Sequence, residues 1–319
     1  HMAVVGLYLT IDAIDLSLYV IRILHGLAEA MLFSALFTYA ADHVPEQRRT
    51  QGLAWFGVSG MLPMAVGGVL GDAILQVSGY DAIFWCALGL AVASLAVSLP
   101  LPENHVHEPP TPGGPRHGFR AALRQRDLMP LWQVGATFSI ALTALFVFAR
   151  RFVDETGIGS VGGFFTVYTL AALFLRVGFG WLPDRVGAKK VLLPSMLSLA
   201  LGFLALAGAT SDRDVWIAGV LCGIGHGYAF PILFGMVVDR APMANRGMAM
   251  AIYTALFDLG VLAGGPLFGL WIETRGFAAM FGFAAVLTSL GLAIFLVWDG
   301  RVMRPPHGPP APGARDATP

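Results

Sequence analysis

Charged side chains are scarce in this 319-residue sequence. Asp, Glu, Lys and Arg together make up 13% of it, about half of what soluble domains carry, which argues against a pair of soluble domains. Acidic and basic residues balance at 20 each, so no basic surface for nucleic acid is expected. The two cysteines, Cys86 and Cys222, lie in separate apolar runs, which excludes a disulfide framework and a zinc cluster.

What the sequence has in abundance is apolar length. Hydrophobic residues make up 56% of the chain, which also holds 39 Gly and 22 Phe, a composition typical of packed membrane helices. Apolar runs long enough to cross about 30 Å of hydrocarbon recur along the chain. Nine spans are predicted, at residues 17–41, 52–75, 82–101, 128–149, 161–182, 191–209, 215–238, 248–272 and 277–298. We therefore predict an all-α membrane protein.

Two segments interrupt this pattern. Residues 102–127 are rich in Pro, Gly, His and Arg and predict a flexible linker. The linker would separate a partial N-terminal helical bundle, residues 1–101, from a six-helix bundle, residues 128–300. Residues 301–319 are rich in Pro and predict a disordered tail.

The distribution of basic residues predicts the orientation. With the C-terminus in the cytoplasm, most of the 20 Lys and Arg residues fall on the cytoplasmic side, as the positive-inside rule requires. The linker is then cytoplasmic too, and the expected location is a bacterial-type inner (plasma) membrane.

The chain contains an internal repeat. A shift of 197 positions superposes Asp42 on Asp239 and Arg49 on Arg246, without a gap and with twelve identities between positions 26 and 70, well above the roughly four expected from composition. Two homologous helical halves joined by a linker are typical of transporters. The second half has six spans, whereas the first shows three and a fragment, so we expect about two and a half helices to be absent from its front.

The loop between the second and third spans of the complete half reads Gly-Trp-Leu-Pro-Asp-Arg-Val-Gly-Ala-Lys-Lys, from residue 180 to residue 190. Its glycines permit a tight turn. Its acid can bind the positive N-terminal end of a neighbouring helix or an arginine, and its lysines can contact anionic headgroups. The predicted gate-loop residues are Gly180, Asp184, Arg185, Gly187, Lys189 and Lys190, with Arg246 and the helix start at Gly247 as the expected partner of Asp184.

This loop resembles the Gly-x-Leu-x-Asp-Arg-x-Gly-x-basic-basic loop of the major facilitator superfamily. Arg22 and Gly26 resemble the Arg-x-x-x-Gly signature of that family's fourth helix. A glycine-rich helix resembles the fifth helix of its antiporters, although the usual Gly-Pro pair is replaced by Met-Ala-Val at residues 64–66; its glycines are Gly57, Gly60, Gly67, Gly68 and Gly71. The resemblance implies two pseudo-symmetric bundles, with this chain entering at the end of helix 3.

Ionisable side chains within spans are costly and mark functional sites. Arg22, His25 and Glu29 share one face of a helix. The 197-residue shift places Glu29 on His226, and the corresponding helices of the superfamily line its central cavity. The resemblance therefore predicts an acid facing an imidazole, with a structural pair between the halves as the alternative. Asp258 is either a second titrating group or a cap for an arginine or a broken helix end.

Two other groups have simpler interpretations. Arg176 is near the end of a span, so its side chain is expected to reach towards the headgroups or a loop. His105, His107 and His117 lie in the linker without a fourth ligand or a rigid frame, so no metal is predicted. No cofactor is predicted either.

The predicted function is secondary transport of small organic molecules by alternating access, most simply proton-coupled export. An uptake permease of the same superfamily and a non-transporting truncated fragment are the alternatives. An enzyme is not expected, because the spans carry no His-Glu-x-x-His motif, no suitable Ser-His dyad and no paired aspartates. The expected partners are a small-molecule substrate, protons and membrane lipid, for a monomer that binds no nucleic acid.

Overall fold

The computed structural model describes residues 1–102 and 119–302, and over these ranges the chain is helical and contains no strand. Seven of the helices are long and apolar enough to cross a membrane, and all nine predicted spans lie on helices. The elements are α1 (Met2–Leu7), α2 (Leu16–His43), α3 (Arg49–Ser98), α4 (Phe119–Leu123), α5 (Met129–Phe146), α6 (Ala149–Thr156), α7 (Val161–Phe179), α8 (Leu182–Val186), α9 (Ala188–Ala207), α10 (Asp212–Arg240) and α11 (Arg246–Val302). The predicted all-α membrane fold is confirmed.

The helices α3 and α11 each hold two predicted spans, and each is broken once at a glycine. Gly79 has φ 76° and ψ −174°, and Gly276 has φ 77° and ψ 178°. Glycine is the residue that adopts this backbone without steric cost. These two glycines are related by the same shift of 197 positions that superposes the sequences. The break that separates the two spans is therefore repeated, residue for residue, in both halves.

The connection that precedes each long helix is repeated in the same way. Pro45 and Pro242 have nearly the same backbone angles, φ −54° and ψ 140° against φ −53° and ψ 142°. A 3-10 turn follows each of them, at Glu46–Arg48 and Met243–Asn245. The internal repeat thus extends from sequence to backbone, and it relates α2 to α10 and α3 to α11.

The hydrophobic core lies mainly in the second half. Helix α5 packs along α11, and α10 packs between α7 and α9. The side chains of α10 are largely buried, whereas α2 exposes a row of large apolar side chains. A smaller set of contacts joins α2 and α3 to α7, α10 and α11. This seam between the halves positions the candidate functional residues.

The region predicted as a flexible linker is partly ordered. Residues Phe119–Leu123 form α4, and Ala122 is buried. The indole Nε1 of Trp132 donates to the carbonyl of Leu123 at 3.1 Å, and Gln125 donates to the carbonyl of Arg240 at 2.8 Å. These bonds hold the end of the linker against the second half. Linker residues 103–118, including the three histidines, lie outside the described residues, as does the predicted tail from residue 303. Residues 301 and 302 of that predicted tail belong to α11.

Candidate functional site

Two ion pairs connect the halves at one end of the helices. Arg246, the first residue of α11, places Nη1 2.7 Å from Oδ1 of Asp42 on α2. Arg49, the first residue of α3, pairs with Asp239 on α10. The 197-residue shift exchanges these two pairs, so each half contributes one acid and one arginine. Both arginines are more than nine-tenths buried. We call this end of the protein the latch end.

Asp184 adds a third connection across the seam. The short helix α8 holds its carboxylate against the start of α3, where the backbone amides of Thr50 and Gln51 donate to it at 3.1 and 2.8 Å. A carboxylate at this position satisfies free amides and faces the positive end of the helix dipole. Asp184 therefore binds a helix N-terminus, as predicted. The predicted partner, at Gly247 and Arg246, is wrong, because the loop crosses to the equivalent helix start in the other half.

The rest of the predicted gate loop serves the second half. Gly187 closes the turn with φ 108°, and the guanidinium carbon of Arg185 lies 5.0 Å from the Trp181 ring centroid. A Cβ at Gly180 would collide with the carbonyl of Arg176. The side chain of Lys190 forms no hydrogen bond or ion pair with another described residue. The loop is therefore held by its own half while its one acid reaches the other.

Asp299 was not predicted as a site residue. It is completely buried near the end of α11. Its carboxylate pairs with Lys189 at the start of α9 and accepts from Nη1 of Arg240 at 2.5 Å, at the end of α10. Arg240 also donates to the carbonyl of Asp127 at 2.9 Å. Asp299 thus joins the ends of three helices, α9, α10 and α11. Its only sequence signal is an acid placed just after the last apolar run.

An aromatic cluster fills the seam next to the latch end. Phe33 and Phe37 on α2 face Phe230 and Phe234 on α10. The centroids of Phe37 and Phe234 are 4.8 Å apart, and those of Phe33 and Phe234 are 5.9 Å apart. These pairs lie within the range in which aromatic rings attract one another. Phe37 and Phe234 are buried, whereas Phe33 and Phe230 are partly buried against them.

This cluster obeys the same symmetry as the ion pairs. The 197-residue shift exchanges Phe33 with Phe230 and Phe37 with Phe234, and each pair of neighbours has centroids 4.4 Å apart. It also exchanges Phe56 with Tyr253. The Phe37–Phe56 pair is edge-on at 4.9 Å, and Phe234–Tyr253 is edge-on at 4.8 Å. Polar and apolar layers of the seam therefore share one pseudo-two-fold axis.

The structure does not bring Glu29 and His226 together, and the prediction that they face each other is wrong for this conformation. Glu29 is 61% exposed and lies 3.2 Å from Nδ1 of His1 and 3.9 Å from Nε2 of His25. His226 is buried, and its Nδ1 shares a hydrogen bond with the hydroxyl of Tyr168. Residues related by the 197-residue shift can contact each other only close to the pseudo-two-fold axis between the halves. The aromatic rings of the seam occupy that position, so Glu29 and His226 do not meet.

Glu29 borders a pocket of about 760 Å³ between α1, α2 and the second segment of α3. The hydroxyl of Tyr8 is 3.2 Å from Nδ1 of His25. Arg22 also lines the pocket and forms no ion pair with a described residue. The predicted triad of Arg22, His25 and Glu29 therefore shares one cavity. Among the described residues, His1, His25 and Glu29 also form the one group whose ligand atoms, all within 4.8 Å of each other, could hold a metal ion.

Asp258 is exposed on α11 and forms no ion pair with a described residue. The shift places it on Met61 of α3, which is buried. Its neighbours Tyr253 and Thr254 are buried, and the Thr254 hydroxyl donates to the carbonyl of Met250 at 3.0 Å. Asp258 is therefore not capping an arginine among the described residues. It stays a candidate titrating group.

Arg176 corrects another prediction, because its side chain turns into the protein rather than towards the membrane surface. Only 2% of it is exposed, and its Nε donates to the carbonyl of Gly227 at 2.9 Å. The carbonyl lies on α10, whose glycine-rich stretch lets α7 approach closely, since a Cβ at Gly223 or Gly227 would meet α7 backbone. Arg176 is thus a core residue of the seam.

Comparison with known proteins identifies the family to which this architecture belongs. The family model of the Major Facilitator Superfamily matches residues 2–165 and again residues 152–319, so that the two matches together cover nearly the whole chain. The chain belongs to the major facilitator superfamily and is a transporter of the membrane rather than an enzyme.

The more particular likenesses are to bacterial and human members. The chain is 25% identical over 310 residues to the uncharacterized MFS-type transporter YhhS of Escherichia coli K12, covering 96% of this chain and 74% of that protein. Among solved structures it resembles the human organic anion transporter MFSD10 (TETRAN), with TM-score 0.78, 18% identity and coverage of 92% and 74%. It also resembles the E. coli fucose:proton symporter FucP, with TM-score 0.62, 18% identity and coverage of 85% and 73%.

Proposed function

We propose that this protein is a proton-coupled secondary transporter that exports small organic molecules by alternating access. The observation that carries the proposal is the reciprocal pairing of Asp42 with Arg246 and of Arg49 with Asp239. Bonds that connect the halves only at one end are what a carrier needs in order to be closed there and open at the other end. They must break for the opposite state to form.

The basic residues favour a cytoplasmic latch end, because the gate loop and the predicted linker lie on that side. The positive-inside rule then orients the protein in an inner (plasma) membrane with a cytoplasmic C-terminus. In this orientation the described conformation is closed towards the cytoplasm. Asp184, bound to the amides of Thr50 and Gln51, stabilises the closed state without touching the cargo.

Proton coupling is assigned to two acids that lie within predicted spans and form no ion pair with a described Lys or Arg, Glu29 and Asp258. Glu29 is held by His25 and His1 in the pocket that Arg22 also lines. Protonation would remove its attraction to these imidazoles and shift the balance between the two states. The carrier works as a monomer, and the proposal needs no cofactor, because the proton gradient supplies the energy.

The test is transport by the purified chain in proteoliposomes, with ethidium and benzoate as probes and with or without an imposed pH gradient. We expect the gradient to drive at least one probe in exchange for protons. Glu29→Gln should abolish concentration against a gradient while still allowing exchange at equal pH. Glu155→Gln, whose carboxylate pairs with Arg151 at the surface, is the matched control and should behave as wild type.

The direction of proton movement separates the alternatives. Probe movement opposite to the protons supports export, whereas movement with them would overturn it in favour of uptake by symport; symport is the activity printed for FucP. If Glu29→Gln still concentrates a probe, the coupling role belongs to Asp258 and Asp258→Asn should abolish it. A wild-type protein that moves no probe in either direction would contradict the proposal.

A further inference from the structure

Arg176 carries a buried positive charge that no described acid neutralises. It is 2% exposed and forms no ion pair with a described carboxylate. Its Nε is bound to the carbonyl of Gly227, but neither Nη atom has a hydrogen-bond partner among the described residues. Every other arginine more than nine-tenths buried in the described parts of the chain, Arg49 and Arg246, has an acid.

Such an arrangement is energetically unfavourable unless a ligand completes it. A buried charge costs several kcal/mol when it is unpaired, and ionisable groups inside membrane proteins face partners or water-filled cavities for this reason. A guanidinium presents a planar fork that fits a carboxylate through two parallel hydrogen bonds. One carbonyl uses one of its donors, so the two Nη groups retain the capacity to bind an anion.

The surroundings of Arg176 are aromatic. Its guanidinium carbon lies 5.8 Å from the centroid of Phe230, and the ring centroid of His226 is 5.5 Å from that of Phe230, in an edge-on arrangement. Phe146 and Tyr168 complete a wall around His226, with centroids 6.0 and 5.8 Å away. A planar apolar body would pack favourably against these rings. The chemistry available is one cation beside several aromatic faces.

Arg176 also lies on the seam that opens during transport. A Cβ at Gly57 of α3, in the other half, would collide with its Nη1. Gly57 is two helical turns from Arg49 of the latch. When the latch opens and α3 moves away from α7, the guanidinium becomes accessible from the latch end. This step rests on the alternating-access function proposed above.

We propose that Arg176 is the anion-binding group of the transport site and that the cargo is a small organic anion with a planar apolar body, such as an aryl carboxylate. The carboxylate binds the two Nη groups of Arg176, and the ring packs against Phe230. Closing the latch end over the bound anion buries an ion pair rather than a bare cation. The cargo therefore favours the closed state.

The experiment measures equilibrium binding of radiolabelled benzoate to the purified chain in detergent, with benzamide and chloride as competitors. Benzoate should bind saturably, and neither the neutral amide nor chloride at equal concentration should displace it. Displacement by chloride alone would show a site for inorganic anions and would overturn the organic cargo. Absence of saturable benzoate binding to folded wild type would overturn the proposal.

Two variants assign the site. Arg176→Gln should weaken benzoate binding about tenfold or more, since a hydrogen-bonded charge is lost. Gly57→Ala keeps the charge but displaces the Nη1 group, and it should weaken binding by a smaller factor even if the first variant fails to fold. Gly60→Ala, on the same helix with open space at its Cβ, should bind as wild type. Unchanged binding in Gly57→Ala would overturn the assignment.

Binding and transport separate this inference from the proposed function. Benzoate binding that depends on Arg176, in a protein that shows no pH-driven transport, supports the site and refutes the carrier cycle. Transport of ethidium with no Arg176-dependent binding supports the carrier and refutes the anion site.

Discussion

Arg246 and Asp42 belong to different halves of the protein, and the 2.7 Å contact between them has a symmetry mate in the pair of Arg49 and Asp239. The halves are thus held by two equivalent bonds rather than one. Since each arginine is also the first residue of a long helix, each bond fixes the start of that helix. The latch is therefore a property of the repeat and not of one loop.

The first prediction uses this reciprocity. Arg246→Asp alone should destabilise the closed state, because it places two acids together, and Arg246→Asp with Asp42→Arg should restore most of the loss. Thermal unfolding in detergent measures the effect, and a double-mutant cycle should give a coupling of about 1–3 kcal/mol. The same swap at Arg49 and Asp239 should give a similar coupling. Two additive single substitutions would refute the pairing.

The second prediction concerns Asp184. Asp184→Asn keeps one acceptor for the amides of Thr50 and Gln51 but removes the charge at the helix start, so the closed state should lose about 1 kcal/mol. Cargo affinity should be nearly unchanged, whereas transport should slow because the two states are populated differently. Glu46→Gln is the control, since Glu46 is exposed and 3.8 Å from Arg49. Lost cargo binding with normal cycling would contradict the latch role.

The third prediction tests the aromatic cluster. Phe37→Ala and Phe234→Ala should each lower the free energy of unfolding by about 3 kcal/mol, the usual cost of truncating a buried Phe. The two losses should be similar, because the two rings have equivalent neighbours. Phe174→Ala removes a ring that is 66% exposed and should have a much smaller effect. Thermal unfolding of the three variants in one detergent measures this, and equal losses for all of them would count against the cluster.

The fourth prediction concerns Asp299. Asp299→Asn should cost about 3 kcal/mol, because it leaves Arg240 and Lys189 beside a buried neutral group. Asp154→Asn breaks a surface pair with Arg150 and should change stability by about 0.5 kcal/mol or less. Chemical or thermal unfolding gives both values. If Asp299→Asn left the free energy of unfolding unchanged, its basic partners Arg240 and Lys189 would have to reach water easily.

The fifth prediction compares the two helix breaks. An alanine at Gly79 or Gly276 has open space for its Cβ but must adopt positive φ with ψ near 180°, a region almost exclusive to glycine, which costs about 1–3 kcal/mol. The two costs should agree because the backbone angles agree. Gly89→Ala, within a regular part of α3 and also with open space, should be neutral or stabilising. Unequal costs at the two breaks, seen by thermal unfolding, would show that their surroundings differ.

The positions of the helices and the repeat were predictable because each depends on patterns local to the chain. That Asp184 binds the N-terminus of a helix was predictable for the same reason. Its partner was not, because two equivalent helix starts exist and the sequence does not say which one the loop reaches. In the same way, Asp42 and Arg49 are separated by seven residues along the chain, yet each pairs with the other half.

Burial of single polar side chains was less predictable. Arg176 is near the end of a span in sequence, and its turn inward depends on a carbonyl of α10 and a glycine of α3. Glu29 and His226 occupy equivalent positions, but equivalence along two helices does not decide which residues reach the axis. Asp299 lies beyond the last apolar run, where its role depends on three helix ends that meet only in the fold.

The breaks at Gly79 and Gly276 give the protein a mechanical property. Each break is a single residue without a loop. The two helix segments that it joins can therefore change their relative orientation only by rotating as rigid rods about that residue. The arm from Gly276 to Arg246 is about 45 Å long at the rise of an α-helix. A tilt of about 5° at such a hinge moves the far end by about 4 Å, enough to separate an ion pair. A small angular motion at the break therefore produces a large displacement at the far end of the helix segment.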